Sequence, residues 1–568
     1  MRVFPILMSV AALGLSACAS LPQTAAAPPQ LSRGLVSAAD PRAADAGAAI
    51  LRQGGSATDA AIATMLALTV VEPQSSGIGG GSFLVTYDPA KGVESYNGRE
   101  TAPAAANGQW FFRDGQPMAF DDVVPGGTSV GVPGNIRNAA LAHLDHGKLA
   151  WGALFQPAIA LARDGFLVTP RLYTMLDRYR ATGALTAEAR GIYYQPDGNP
   201  KPVGSRIINP ALAATLEKLA SLGPDSFYVG PNAQAVAAAV GNAPRNPSPM
   251  TAGDVATYNA QKLPPVCGEY RGYKICGMGP PSSGATTVFA LLKQLERFDL
   301  MALGKDDPRS WHLIAESMRL AYADRDRYLA DADYIRVPVK GLMDTAYLAR
   351  RSQLIHIDST MASVSPGLPA GAQPFGQPVE AVEHGTTHFV AVDQWGNVAS
   401  ETSTIESAFG SGLMVGGYYL NNELTDFSFA PTDTNGVPVA NRVEGGKRPR
   451  SSMSPTIVFS PDGKVRLAVG AAGGATIIAQ VAKAIIGVID WRLSAQDAIA
   501  LPVLFSPGET IWVEKGTSQE AMIPALVALG HRDVRAREPG FKANAIEWVN
   551  GRWVGAVDPR SEGAAEAP

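Results

Sequence analysis

The sequence predicts an α+β protein, on three observations. Residues 40–72, "DPRAADAGAAILRQGGSATDAAIATMLALTVVE", read as two helices split by Gly54-Gly55. Ser56 opens the second helix with Asp59 three residues on, the arrangement of a capping box. Both helices are Ala-rich and apolar on more than one side, so both are expected to be buried. Next, in "GIGGGSFLVTYDPAKGVESYNGRE", a Gly run leads into a strand, an Asp-Pro-Ala-Lys-Gly turn and a second strand ending at Arg99. Third, residues 384–412, "HGTTHFVAVDQWGNVASETSTIESAFGSG", form a β-hairpin pattern whose first strand is expected to begin abruptly at Thr386. Between them, from about 125 to 350, the pattern is mostly helical with Pro/Gly punctuation, including "SWHLIAESMRLAYADRDRYL". No internal repeat is visible.

A chain of 568 residues, 46% apolar and 17% charged, has ordinary globular composition and enough length for a large core. Its formal charge of -4 and the lack of a basic run exclude an electrostatic footprint for nucleic acid. Beyond the extreme N-terminus no apolar stretch is long enough to span a bilayer, which excludes a multi-span membrane protein. The N-terminus, "MRVFPILMSVAALGLSACAS", has the layout of a secretory signal peptide over residues 1–17. Leu15-Ser16-Ala17-Cys18 also resembles a bacterial lipobox, which would make Cys18 a lipid-bearing first residue; a plain signal peptide with an incidental cysteine is the alternative. Residues 18–31 suit a flexible tether. Export to the periplasm of a Gram-negative bacterium, membrane-anchored through Cys18, is the expected localisation.

The two remaining cysteines lie in "PVCGEYRGYKICG". With Arg271-Gly272 as a two-residue hairpin loop, Tyr270 faces Tyr273, Glu269 faces Lys274 and Cys267 faces Cys276. Facing cysteines fit a disulfide, in agreement with an oxidising periplasm; two reduced core cysteines are the competing reading. The histidines are not clustered in sequence, and no metal-ligand spacing is present. Residues 361–385 have neither helical nor strand periodicity, as in a linker or a functional loop.

In the hairpin, Asp393 and Asn397 flank a three-residue loop, Gln394-Trp395-Gly396, with Gly396 in the left-handed position. Pairing outward places Thr386 opposite Thr404 and His388 opposite Thr402. Alternation then puts Thr386, His388, Thr402, Thr404 and Glu406 on one face, an unusual polar row whose simplest explanation is an exposed sheet face. A threonine preceded by Gly385, at the junction of an irregular segment and a strand, also has what an N-terminal nucleophile requires. Its hydroxyl is weak at neutral pH, but a free α-amino group on the same residue, with a reference pKa of about 7.7–8.0, can serve as the base. Such an amine exists only once the Gly385–Thr386 bond is broken, which makes this bond the expected cleavage site.

The segments "TTHFVAVDQWGNVASETSTIESAFGSG", "LNNELTDFS", "KRPRSSMSPT" and "GAAGGATII", in this order and spacing, resemble the γ-glutamyltransferase (glutathione hydrolase) family of N-terminal-nucleophile hydrolases. The likeness extends to "GGSATDAAIATMLALTVVEPQSSGIGGGSF", "YNGRETAP", "YRGYKICGMGPPSSG" and "DPRSEG", and so spans nearly the whole mature chain. It implies a four-layer αββα sandwich in which a large subunit, 32–385, and a small catalytic subunit, 386–568, stay intertwined after self-cleavage. It implies Thr386 as nucleophile, Thr404 as hydrogen-bond partner of its hydroxyl, and Gly473 and Gly474 as oxyanion hole. Arg99, with Ser451 and Ser452, would bind the substrate α-carboxylate, and Glu423 and Asp426 the α-ammonium. The implied reaction passes a γ-glutamyl group from glutathione or a related compound, through a Thr386 ester, to water or to an amino acid or peptide. No metal or organic cofactor is needed. One departure stands out: many members have asparagine where this chain has Glu406, expected to bring a third carboxylate to the ammonium site. Residues 428–446 occupy the place of the family's lid loop without matching it. A glutaryl- or cephalosporin-acylase-type amidase, or an inactive lipid-anchored binding homologue, are the rival readings.

Overall fold

A computed structural model describes Met1 and residues 34–378, 385–540 and 542–568. Residues 2–17 of the signal segment, Cys18 and the whole of the tether lie outside the described residues. The helices and hairpins form where the sequence expects them. Ser56 Oγ accepts from the Asp59 amide at 3.1 Å while the Asp59 carboxylate accepts from the Ser56 amide at 2.9 Å, closing the capping box. The helix it opens, Ala57–Val71, is buried at every residue. Its predecessor, Pro41–Arg52, is capped by Asp40.

Two antiparallel sheets carry the fold. The first has the order Ala564–Glu566, Gly34–Ala38, Thr387–Asp393, Val398–Thr404, Gly81–Asp88, Gly92–Gly98, Gln261–Leu263. The second runs Arg552–Val557, Lys542–Val549, Val465–Ala472, Thr456–Phe459, Tyr273–Gly277, Val266–Tyr270. Strands from before and after residue 386 share both sheets, so cutting the chain there would leave two interleaved pieces.

Helices Pro41–Arg52 and Ala57–Val71 cover the outer face of the first sheet. Gly284–Leu295 and Thr476–Ile489 cover the second, with Pro308–Tyr328 packed on the former. Strand alternation sorts the hairpin accordingly. Phe389, Ala391 and Ala399 enter the core under the first helix pair, whereas Val390, Val392 and Val398 enter the core shared with the second sheet. The layers are αββα, as the resemblance implied.

The 385–412 hairpin has the derived register, from Thr387 opposite Ser403 to Val392 opposite Val398, with Gly396 at φ +84°. Regular pairing begins at Thr387, one residue later than expected. The polar face is not exposed: it looks into the gap between the sheets, where His388 stands so close to Gly470 that a Cβ there would lie 2.3 Å from the imidazole. The other hairpin pairs Cys267 with Cys276, and the disulfide is formed, with Cα atoms 4.1 Å apart. Arg271 and Gly272 both have positive φ, as a type I′ loop demands. Residues 353–378 contain no helix or strand.

Candidate active site

At the open end of the sheet gap one small pocket is lined by Arg99, Gly385, Thr386, Thr404, Glu406, Glu423, Asp426, Ser451, Ser452 and Gly474, with Met453 and Ile477. These residues come from positions 99 to 477, and nearly all the expected site residues are among them. Gly473 is next to the pocket rather than on its wall.

At the nucleophile end the hydroxyls do not pair as expected. Thr386 Oγ1 donates to the Gly385 carbonyl in a short hydrogen bond, and Thr404 Oγ1 donates to the same oxygen at 3.0 Å. The expected Thr404-to-Thr386 bond is therefore replaced. While the 385–386 peptide is intact, its carbonyl offers two lone pairs at the point where both hydroxyls converge, and both take them. Thr404 is itself oriented by the Glu406 amide, which donates to Oγ1 at 2.8 Å. At Gly385 a side chain would meet the Glu406 carbonyl at 2.7 Å, so the residue is needed for space. His388, on the same face, is bonded to Thr402 at 2.9 Å, and burial pushes its pKa down to about 3. It is a neutral packing residue between the sheets.

Gly473 and Gly474 turn the chain from the strand Val465–Ala472 into the helix Thr476–Ile489, with φ of +127° and +58°. The Gly473 carbonyl accepts from Thr476 Oγ1 at 2.7 Å and from the Thr476 amide at 3.2 Å, which fixes the turn at the helix start. Gly474 lines the same pocket as Thr386, and backbone amides near a helix start suit a developing oxyanion.

The sequence profile of the family described as gamma-glutamyltranspeptidase matches residues 43–567. The chain belongs to this family. It is 36% identical over 548 residues to the glutathione hydrolase proenzyme of Bacillus subtilis (strain 168), covering 94% of this chain and 91% of that one. It is also 32% identical over 549 residues to the acylase ACY 1 proenzyme of Pseudomonas sp. (strain SE83), covering 94% of each. The cephalosporin acylase of Bacillus halodurans superposes with a TM-score of 0.83 at 27% identity, over 96% of this chain and 99% of that one. Both glutathione hydrolases and acylases are thus similar to this member of the gamma-glutamyltranspeptidase family.

The charged residues expected around the substrate head share the pocket but are paired with one another. The Arg99 guanidinium, buried with its partners, binds Glu423 through Nη1 in a short contact and Asp426 through Nη2 at 2.5 Å. Nε and Nη2 also donate to the Pro449 and Arg450 carbonyls at 3.1 and 2.8 Å. The cation expected for an α-carboxylate and the anions expected for an α-ammonium therefore neutralise each other. The reason is physical: buried charges must be paired, because an isolated buried ion costs several kcal/mol. A zwitterionic ligand could replace both halves of this pairing at once.

Glu100, next in sequence to Arg99, is fully buried and its carboxyl group is hydrogen-bonded to that of Glu423. Burial pushes its pKa up to about 8, and burial also raises that of Glu423, so this pair retains a proton at neutral pH. For Arg99, burial acts to lower the pKa, but Glu423, Asp426 and Glu100 together outweigh it and the group stays charged. Glu406 lines the pocket, although not by strand parity, since its backbone is left-handed at φ +72°. Its carboxylate accepts from Ser407 Oγ at 2.5 Å and, in a shorter contact, from Asn422 Nδ2.

Several supporting residues have no obvious sequence signal. Arg325, from the helix Pro308–Tyr328, donates to Ser452 Oγ at 2.6 Å and to Ser283 Oγ at 3.0 Å. Ser283 in turn donates through both N–H and Oγ to the Ser451 carbonyl, each at 2.7 Å, so the "PPSSG" segment braces the serine pair. Tyr258 donates to the Arg99 carbonyl at 2.8 Å.

Proposed function

We propose that the protein is a self-processing γ-glutamyltransferase and glutathione hydrolase. The observation that carries this reading is the meeting, in one buried pocket, of Thr386 and the Gly385 carbonyl with an Arg99–Glu423–Asp426 set sized for an amino-acid head. Processing begins when Thr386 Oγ attacks the Gly385 carbonyl carbon. Thr404, already bonded to that oxygen, supports the charge that develops there. The C–N bond breaks as the acyl group moves from nitrogen to oxygen, and water then hydrolyses the ester. The products are a Gly385 carboxylate and a free α-amine on Thr386.

Departure of the Gly385 carbonyl also frees Thr404 Oγ1 for the Thr386 hydroxyl, which restores the pairing expected from the sequence. In turnover Thr386 Oγ attacks the γ-amide of the donor, with Gly473 and Gly474 amides facing the oxyanion and the α-amine passing the proton to the leaving amine. Water, an amino acid or a peptide amine resolves the γ-glutamyl ester. The substrate α-carboxylate would displace Glu423 and Asp426 from Arg99 and accept from Ser451 and Ser452, while its ammonium would engage the released carboxylates.

A second reading, a glutaryl- or cephalosporin-type acylase, is favoured by the similarity to the acylases. A glutaryl group has no ammonium, so it would leave Glu423 and Asp426 without a cation once Arg99 is engaged. Parallel assays with γ-glutamyl and glutaryl anilides separate the two: preference for the γ-glutamyl compound is expected, and faster turnover of the glutaryl compound would replace this reading by the second. We also propose export with removal of residues 1–17 and lipid attachment at Cys18, supported by the N-terminal sequence alone. Membrane fractionation of the wild type and Cys18→Ser tests it.

A further inference from the structure

We propose that Glu72, clamped by Lys542, is a positioning residue that keeps the new N-terminus of the processed chain from fraying by holding Thr387; this rests on the N-terminal-nucleophile reading above. Before cleavage Thr386 is held from both sides by the chain. Afterwards it is a chain end, and chain ends fray unless tied down. Its only covalent anchor is then Thr387, the first residue of the strand.

Thr387 is fully buried and its side chain points away from the pocket, towards the helix layer. There Thr387 Oγ1 donates to Glu72 Oε2 at 3.1 Å. Glu72 is the C-terminal cap of the helix Ala57–Val71, the end where the helix dipole disfavours an anion. A carboxylate buried at that end needs a cation, and Lys542 supplies it: its Nζ donates to both Glu72 oxygens, at 2.7 and 2.6 Å. Arg171 stands 3.6 Å from the same carboxylate. Burial acts to raise the Glu72 pKa, but these two cations hold it below the ordinary value, so the clamp is ionised at neutral pH.

The placement of Lys542 gives the clamp its second function. It begins the strand Lys542–Val549 and lies opposite Ala472, the residue before Gly473-Gly474. Nζ also lies 3.5 Å from Ser75 Oγ, and the Ser75 carbonyl accepts from the Ile405 amide, just past Thr404, at 3.3 Å. One buried ion pair therefore ties the residue after the nucleophile, the strand leading into the oxyanion turn and the turn beside Thr404. None of these groups touches the reacting atoms. Their common effect is the relative position of Thr386 and the Gly474 amide, where an error of about 1 Å can cost about 10²-fold in rate.

The test uses the full-length protein after processing. Thr387→Val keeps the volume and leaves the Glu72–Lys542 pair intact, so it folds even if Glu72→Gln does not. Thr387→Val is expected to be cut at the same bond as wild type. Its kcat for γ-glutamyl anilide hydrolysis, per cleaved chain counted by active-site titration, is expected to fall roughly 10- to 100-fold with KM within about twofold. Thr387→Ser, which restores the hydroxyl, is expected to recover most of kcat. Turnover by Thr387→Val within about twofold of wild type, failure of that variant to cleave, or a Thr387→Ser enzyme as slow as the valine variant would each overturn the proposal. A wild type that turns over without any cut at 385–386 would instead overturn the reading on which it rests.

Discussion

The two ends of the pocket meet the same problem, the burial of polar groups, in opposite ways. At the Arg99 end full charges are present and neutralise one another, with Glu423 and Asp426 in the place a ligand would take. At the Thr386 end there is no charge, only two hydroxyls directed at one carbonyl and a glycine turn at a helix start. On the proposed reading the difference teaches that recognition is preassembled, whereas the base for chemistry is absent until a bond is cut.

Changes at the two ends should therefore separate processing from recognition. The largest effect is expected for Thr386→Ala, which removes the attacking oxygen: the chain should stay whole on a denaturing gel and turnover should drop by roughly 10⁴-fold or more. Arg99→Met comes next. It leaves Glu423 and Asp426 facing each other without their cation, a stability defect of about 3–5 kcal/mol, and takes the charged partner from the donor's α-carboxylate, so kcat/KM for γ-glutamyl donors should fall roughly 10²- to 10³-fold. The comparison holds only if this variant still cleaves itself; loss of both functions would show that the ends are not separate.

Thr404→Val should act in the other direction, slowing self-cleavage by roughly 10²-fold through loss of one donor to the Gly385 carbonyl. Thr404→Ser should restore the rate, followed as the decay of intact chain with time. The smallest effect is on stability and pH. Glu100 has a folded pKa raised from 4.5 to about 8 by burial, so the folded protein holds a proton that the unfolded chain releases. Its contribution is fully present below about pH 4.5 and is lost as pH rises towards 8. Glu100→Gln should flatten that part of the Tm–pH curve, which calorimetry would read.

Much of this was legible in the sequence wherever the controlling interaction is local. The register of the nucleophile hairpin follows from loop length and alternation, and the Cys267–Cys276 pairing from an Arg-Gly turn. The resemblance placed Arg99, Glu423, Asp426, Ser451 and Ser452 in one site without saying how they pair. Their mutual neutralisation depends on partners more than 320 residues apart and on a buried environment, neither of which leaves a periodic trace. The same limit hid the contact between His312 and His531, 2.7 Å apart although the sequence shows no histidine cluster. It also hid Arg325 behind Ser452, since one more arginine in "YADRDRYL" reads as a solvated helix face. The polar row on the hairpin looked like an exposed surface because strand parity reports which residues share a face, not what that face meets.

The central claim, that Thr386 becomes a chain terminus and then carries the acyl group, is tested most directly by quenching the enzyme during turnover of a slow γ-glutamyl donor and mapping the adduct by peptide mass spectrometry. The expected result is a γ-glutamyl ester on the first residue of a fragment that begins at 386. An adduct on any other residue, or steady turnover by a chain still continuous through Gly385, would contradict it.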